Sequence, residues 1–233
     1  SFLYCYSSSP IRRIAPYSLR GFLYYQGEED VQRYADYSDM MQMLVKQWRM
    51  DWNDWNLPFL FVQLPMYLAD GEKDDSYWAL QREQQYIASM MIQNAGMISL
   101  ADCGEYDNIH PLDKKTPGER LFQLAKNLVY DKQGTITATA AQLFSDNGKL
   151  YVTFDHLHEK LVMQTANGCP FEISGEDNLF YPAKADVIHG NMLCISNPAV
   201  KFPSAVKYAW YNFGEAVLFT ESGNPVSPFF KCV

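Results

Sequence analysis

Two short stretches hold residue types that do chemistry. The first is Gln26-Gly27-Glu28, inside "YYQGEED" (24–30), where an apolar run ends in an amide, a glycine and an acid. Gly27 permits a sharp turn or a close backbone approach to a ligand. Gln26 offers an amide donor for an oxyanion. Glu28 either orients a base or donor, or favours the N-terminus of the helix that follows. Glu29 and Asp30 read as serving that helix end. The second stretch is Asp107-x-x-His110, inside "ADCGEYDNIHPLDKKTPGE" (101–119). Its spacing lets the carboxylate accept a hydrogen bond from one imidazole nitrogen. The other nitrogen then faces a nucleophile as general base. The same residues also fit a solvated Asp and a His that caps a turn before Pro111.

A nucleophile is harder to place. No Gly-x-Ser-x-Gly occurs, and no motif activates Ser7, Ser8 or Ser9. Cys103 precedes His110 by seven residues. It reads either as a thiolate or as a small residue ending a buried strand. His156 and His158 alternate, but no third metal ligand is evident, and His189 sits in a His-Gly-Asn turn. The five cysteines form no Cys-x-x-Cys pair, which argues against structural zinc.

Elements must bring the two stretches together. "GFLYYQ" (21–26), "PFLFVQLP" (58–65) and "MISLAD" (97–102) read as strands, short and apolar, closed by turn or polar residues. Between the first two, Tyr37, Met40, Met41, Leu44, Val45 and Trp48 fall on one helical face. A second helical pattern covers 77–94, before Gly96. A third opens at "TPGERLFQLAKNLVY", with Thr116 as N-cap, Pro117 in the first turn and Glu119 completing a capping box. Strands joined by helices predict a parallel sheet with helices on its faces. After Tyr130 the helical periods give way to short strands with Gly, Asn and Pro turns, which suggests a compact all-β sandwich. The reading is therefore an α/β domain over 1–131 and a β-sandwich domain over 132–233. Three parallel strands are few, so "GFLYYQ" is expected to expose an edge, with self-association as the consequence.

Composition excludes several classes. The net charge is -8 and the pI about 5.0, with basic residues clustered only in pairs such as Arg12-Arg13. That argues against a nucleic-acid groove. No apolar run reaches the ~20 residues of a membrane span, and the first residues do not read as a signal peptide. Aromatics at 15% suit a sugar-facing cleft and equally suit core packing.

The same residues resemble a known family. "IAPYSLRGFLYYQGEEDVQRYADYSDMMQMLVKQWR", "DNIHPLDKKTPGERLFQLA" and "SAVKYAWYNFGEAVLFTESGNPVSPF" are similar, in that order, to three blocks of the sialate O-acetylesterases, in the SGNH-hydrolase superfamily. The resemblance implies a partial SGNH-type, flavodoxin-like three-layer sheet followed by a small all-β sandwich. It implies His110 as general base, Asp107 as its orienting partner, and Gln26, Gly27 and Glu28 lining the site. The reaction implied is removal of an O-acetyl ester from sialic acid or a related sugar, with no metal or organic cofactor. The family's serine block, "G-Q-S-N-M", is absent here, and Glu29-Asp30 replace its Ser-Asn. The nucleophilic serine is thus expected on a preceding segment or a second subunit, leaving this chain inactive alone. The alternative is a non-catalytic module that binds glycan or a partner. By resemblance only, the setting is secreted, periplasmic or lysosomal.

Overall fold

Phe59–Gln63 (β2) is buried along its whole length, as a central strand covered on both faces must be. It pairs in parallel with Phe22–Tyr24 (β1) on one side and Ala95–Ser99 (β3) on the other. Alternate residues of β2 go to opposite faces. A short helix, α1 (Pro10–Ile14), precedes the sheet. Phe59 and Phe61 pack with Tyr37, Met41 and Val45 of helix α2 (Tyr37–Asp51) and Ala88 of α3 (Tyr77–Met91). Leu60 and Val62 pack with Leu121 and Leu124 of α4 (Lys115–Leu128). The expected strand–helix alternation and parallel sheet are therefore present. β1 lies at the edge, with Leu23 65% exposed. The computed structural model describes residues 10–15, 17–165 and 167–233. Ser7, Ser8 and Ser9 lie outside the described residues.

Three local details differ from expectation. A 3-10 segment, Glu28–Asp36, precedes α2, so the helical pattern is split. β3 starts at Ala95 and the chain turns at Leu100, whose carbonyl accepts the Cys103 N–H (3.0 Å). The start of α4 is not capped by Thr116. Asp113 Oδ1 accepts the N–H groups of Lys115 and Thr116, each at 3.0 Å, and the helix begins at Lys115. A carboxylate two residues ahead of the first turn reaches those amides first. The Thr116 hydroxyl first, then these backbone bonds, hold the Asp113 pKa below its usual value.

Beyond α4 the described residues form the strands β4 (Thr139–Asp146), β5 (Lys149–Asp155), β6 (Leu161–Met163), β7 (Phe171–Ser174), β8 (Tyr181–Pro182), β9 (Lys184–Ile188), β10 (Met192–Ser196), β11 (Ala205–Tyr208), β12 (Leu218–Thr220) and β13 (Phe229–Cys232). They form four-stranded sheets β4-β5-β10-β9 and β13-β11-β7-β8, with a two-stranded β12-β6 ribbon. Leu150, Val152, Leu193 and Ile195 of one sheet share a core with Phe171, Ile173, Val206 and Tyr208 of the other.

That core also takes in Met66 and Ala101, from the loops after β2 and β3. Polar contacts reinforce the junction. Buried Gln63 and Ser227 exchange hydrogen bonds at 2.8 and 3.0 Å. Asn212 Oδ1 accepts the Trp78 N–H (3.0 Å), while its own backbone N–H and Nδ2 donate to Asp74 and Asp75. Ser76, the residue before α3, has φ 63 and makes no side-chain cap, so Asn212 supplies it from the β region.

Candidate active site

Both stretches singled out above lie beyond the C-terminal ends of parallel strands, Gln26-Gly27-Glu28 after β1 and Asp107–His110 after β3. This is the end of an open α/β sheet where ligands bind. A small apolar cluster links them. Leu64, Val31 and Trp78 pack with Tyr25 and Tyr67, and with Ile109 from the second loop. Burial and then the Glu28 charge push the Tyr25 phenol up to about 12.

The first stretch is tightly held. Gln26 Oε1 accepts from the Tyr24 hydroxyl (2.9 Å), and Nε2 donates to Asp30 Oδ2 (2.8 Å). Asp30 is only 4% exposed and takes a second bond from Arg33 at 3.0 Å. It is thus a buried acceptor that orients Gln26, not merely a helix-end acid. Gly27 is buried with φ 147, a region L-residues rarely adopt. A Cβ there would stand 3.1 Å from the amide nitrogens of both Gln81 and Gln85. Glu28 is half-buried and opens the 3-10 segment, one of the two roles expected for it.

The second stretch is more open. Asp107 and His110 are both exposed, and Asp107 has φ 55. Asp107 Oδ1 accepts the Asp70 N–H (2.9 Å), and no hydrogen bond joins the two side chains among the described residues. The loop is braced by Glu105, whose two oxygens accept from Asn108 Nδ2 and the Leu112 N–H, each at 2.6 Å. Asn108 Oδ1 in turn accepts the His110 N–H (3.1 Å). At the root of the loop, Arg120 grips Asp102 with two bonds, 2.6 and 2.7 Å. Burial alone would lower the Arg120 pKa, but the Asp102 bonds and charge outweigh it and raise it. A Cβ on Gly104 would lie 2.0 Å from the Met66 carbonyl oxygen, so only glycine lets the loop pass that close. A cleft of about 340 Å³ opens beside it, lined by Asp102, Gly104, Gln164, Phe213 and Glu215.

Cys103 is not poised as a nucleophile. Burial first, then the Asp102 charge, push its thiol up to about 12, so it stays protonated at neutral pH. Sequence reasoning missed Asp30, Glu105 and a buried polar face of α3. Gln81, Arg82 and Gln85 are each at most 1% exposed, in the stripe shared with Trp78, Ala88 and Ile92. Polar residues at apolar-stripe positions were the available signal. Arg82 donates to the Tyr211 carbonyl, while its Nε and one terminal nitrogen have no partner among the described residues. Burial lowers its pKa to about 10.

The family model for "carbohydrate esterase, sialic acid-specific acetylesterase" matches residues 4–127. The chain belongs to that family. It is 27% identical to mouse sialate O-acetylesterase over 91% of this chain and 44% of that protein. It is 26% identical to the rat sialate O-acetylesterase, over 91% of this chain and 44% of the relative. Its fold resembles the crystal structure of a carbohydrate acetylesterase from Xanthomonas citri, with TM-score 0.86 and 32% identity, over 94% of this chain and 51% of that one. The chain thus spans about half the length of each of these relatives.

Proposed function

We propose that this chain supplies the base side of a carbohydrate O-acetylesterase centre acting on O-acetylated sialic acid or a related sugar. The observation that supports it most is the placement of Gln26-Gly27-Glu28 and Asp107–His110 at the same end of one parallel sheet, in a chain of the acetylesterase family. In this reading His110 takes the proton of a serine hydroxyl as the oxygen attacks the acetyl carbonyl. Asp107 holds the imidazole through its second oxygen and stabilises the imidazolium. The backbone N–H of Gly27 and the remaining amide hydrogen of Gln26 face the oxyanion. His110 returns its proton to the departing sugar oxygen, and water then hydrolyses the acetyl-enzyme through the same base. Glu28 lines the site beside Tyr25.

The serine is proposed to come from a preceding segment of the parent enzyme, or from a second subunit. It would extend a partial SGNH-type, flavodoxin-like sheet along β1. In this reading the isolated chain is inactive and prone to self-association through the β1 edge. The division at 131/132 separates the catalytic part from the β domain.

The test is complementation. Mixing the chain with the serine-bearing segment is expected to give acetyl-ester hydrolysis, and His110→Ala to lower it by ~10²–10⁴-fold. Near-normal activity in that variant removes His110 from the mechanism. Turnover by the 233-residue chain alone, surviving alanine at Ser7, Ser8 and Ser9, overturns the external serine.

A further inference from the structure

The ladder between β1 and β2 stops at the Tyr24–Phe61 pair. Just beyond it, one buried side chain spans both strands. Gln85 Nε2 donates to the carbonyls of Gln26 (3.3 Å) and Val62 (3.2 Å), and Oε1 accepts the Leu64 N–H (2.8 Å). The Tyr37 hydroxyl adds a second bond to the Gln26 carbonyl, at 2.9 Å. Burial pushes the Tyr37 pKa far up, so it remains a donor across the working pH range. The Gln26 carbonyl is therefore fixed toward α2 and α3 by two donors. No peptide bond among the described residues is cis. A trans peptide places its C=O and N–H on opposite sides. The Gly27 N–H must then point away from these helices, and among the described residues it donates to no protein acceptor.

We infer that Gln85, assisted by Tyr37, is a positioning residue that aims the Gly27 N–H at the strand-end site. This rests on the proposed reading of that site as an esterase centre. An N–H held in direction before the reaction stabilises an oxyanion without reorganising. Gln85 touches no substrate, being fully buried. Its effect passes through one peptide plane, and small misplacements of that kind cost up to about 10²-fold in rate.

The experiment compares Gln85→Met with the parent chain. Methionine keeps the length of the side chain and removes its donors and acceptor. In the 233-residue chain the Gly27 amide resonance is expected to shift, and Leu64 amide exchange to quicken by about tenfold or more. In the chain complemented with the serine-bearing segment, kcat for an acetyl ester is expected to fall about 10–100-fold with KM within about threefold. If Gln85→Met does not fold, Tyr37→Phe decides. It removes one of two bonds to the same carbonyl and should lower kcat about 3–10-fold at unchanged KM. Unchanged kcat in a folded variant, or a change confined to KM, overturns the inference. His110→Ala run in parallel separates the two levels. If it retains activity, His110 leaves the mechanism and the reading of the base side fails, whereas its loss together with full activity in Gln85→Met sinks only the role of Gln85.

Discussion

At the end of β1, Gly27 and Asp30 are buried, and Gln26 is held through its carbonyl, its amide nitrogen and its amide oxygen by Tyr37, Gln85, Asp30 and Tyr24. After β3, Asp107 and His110 are exposed, and the loop is held from its flanks by Glu105 and Arg120. The first segment has little freedom before any substrate arrives, and the second has more. The difference matches the proposed roles. An oxyanion donor acts by being fixed in advance, whereas a general base must move a proton to and from two different partners. The contrast also says where substitutions should act. Changes near Gly27 should disturb the fold and the chemistry together. Changes near His110 should disturb the chemistry with a smaller effect on the fold.

The strongest test of the comparison is Gly27→Ala. The methyl group would meet three buried polar atoms, at 3.1, 3.1 and 3.3 Å, on a backbone with φ 147. A residue forced into such a region costs about 1–3 kcal/mol. The melting temperature should fall accordingly in thermal denaturation. A variant as stable as the parent would show that the turn relaxes freely, and the comparison would collapse. Glu105→Ala comes next. It removes two short bonds that close the loop around His110, each worth about 0.5–1.5 kcal/mol where partly solvated. Because the loop is on the surface, the loss should be local. Amide exchange at Leu112 should quicken while Leu64 stays protected. A uniform loss across the sheet would mean that the loop is as integral to the fold as the turn.

The sheet was legible because its central strand is apolar at every position but the last. Only a strand covered on both faces tolerates that pattern. The glycine between Gln26 and Glu28 was legible as a turn that needs glycine. The positioning groups were not, because their partners are distant in sequence. Gln85 lies 59 residues from Gln26, and Asn212 lies 134 from Trp78. "QREQQ" looks solvated until the stripe through Trp78 and Ala88 is followed inward. Asp30 reads as a helix-end acid because sequence spacing alone does not show that Gln26 and Arg33 converge on it. Thr116 reads as a cap because Thr-Pro-Gly-Glu imitates a capping box, while Asp113 reaches the amides first.

α3 carries the braces of the turn on one side and Glu83 against β13 on another, which permits a finer test by pH. Burial pushes the Glu83 carboxyl up to about 7, and nearby Lys231 only partly opposes this. The Lys231 ammonium is engaged by Tyr86, over the ring at 5.0 Å from its centroid and 3.4 Å from the hydroxyl. No ion pair joins it to Glu83 among the described residues. A carboxyl raised in the folded chain binds its proton more tightly there than in the unfolded chain. Between its ordinary value of 4.5 and about 7, the folded state therefore holds more protons, and stability falls as pH rises through that window. Above about pH 7 this contribution is flat. Glu83→Gln should melt with the parent near pH 5 and above it near pH 8. The pH dependence of the effect identifies it. Amide exchange should place the parent's loss at Leu64, beside α3, rather than at Leu112. Parallel melting curves for the two proteins across this range would show that Glu83 ionises freely, and α3 would then brace the turn without any linkage to pH.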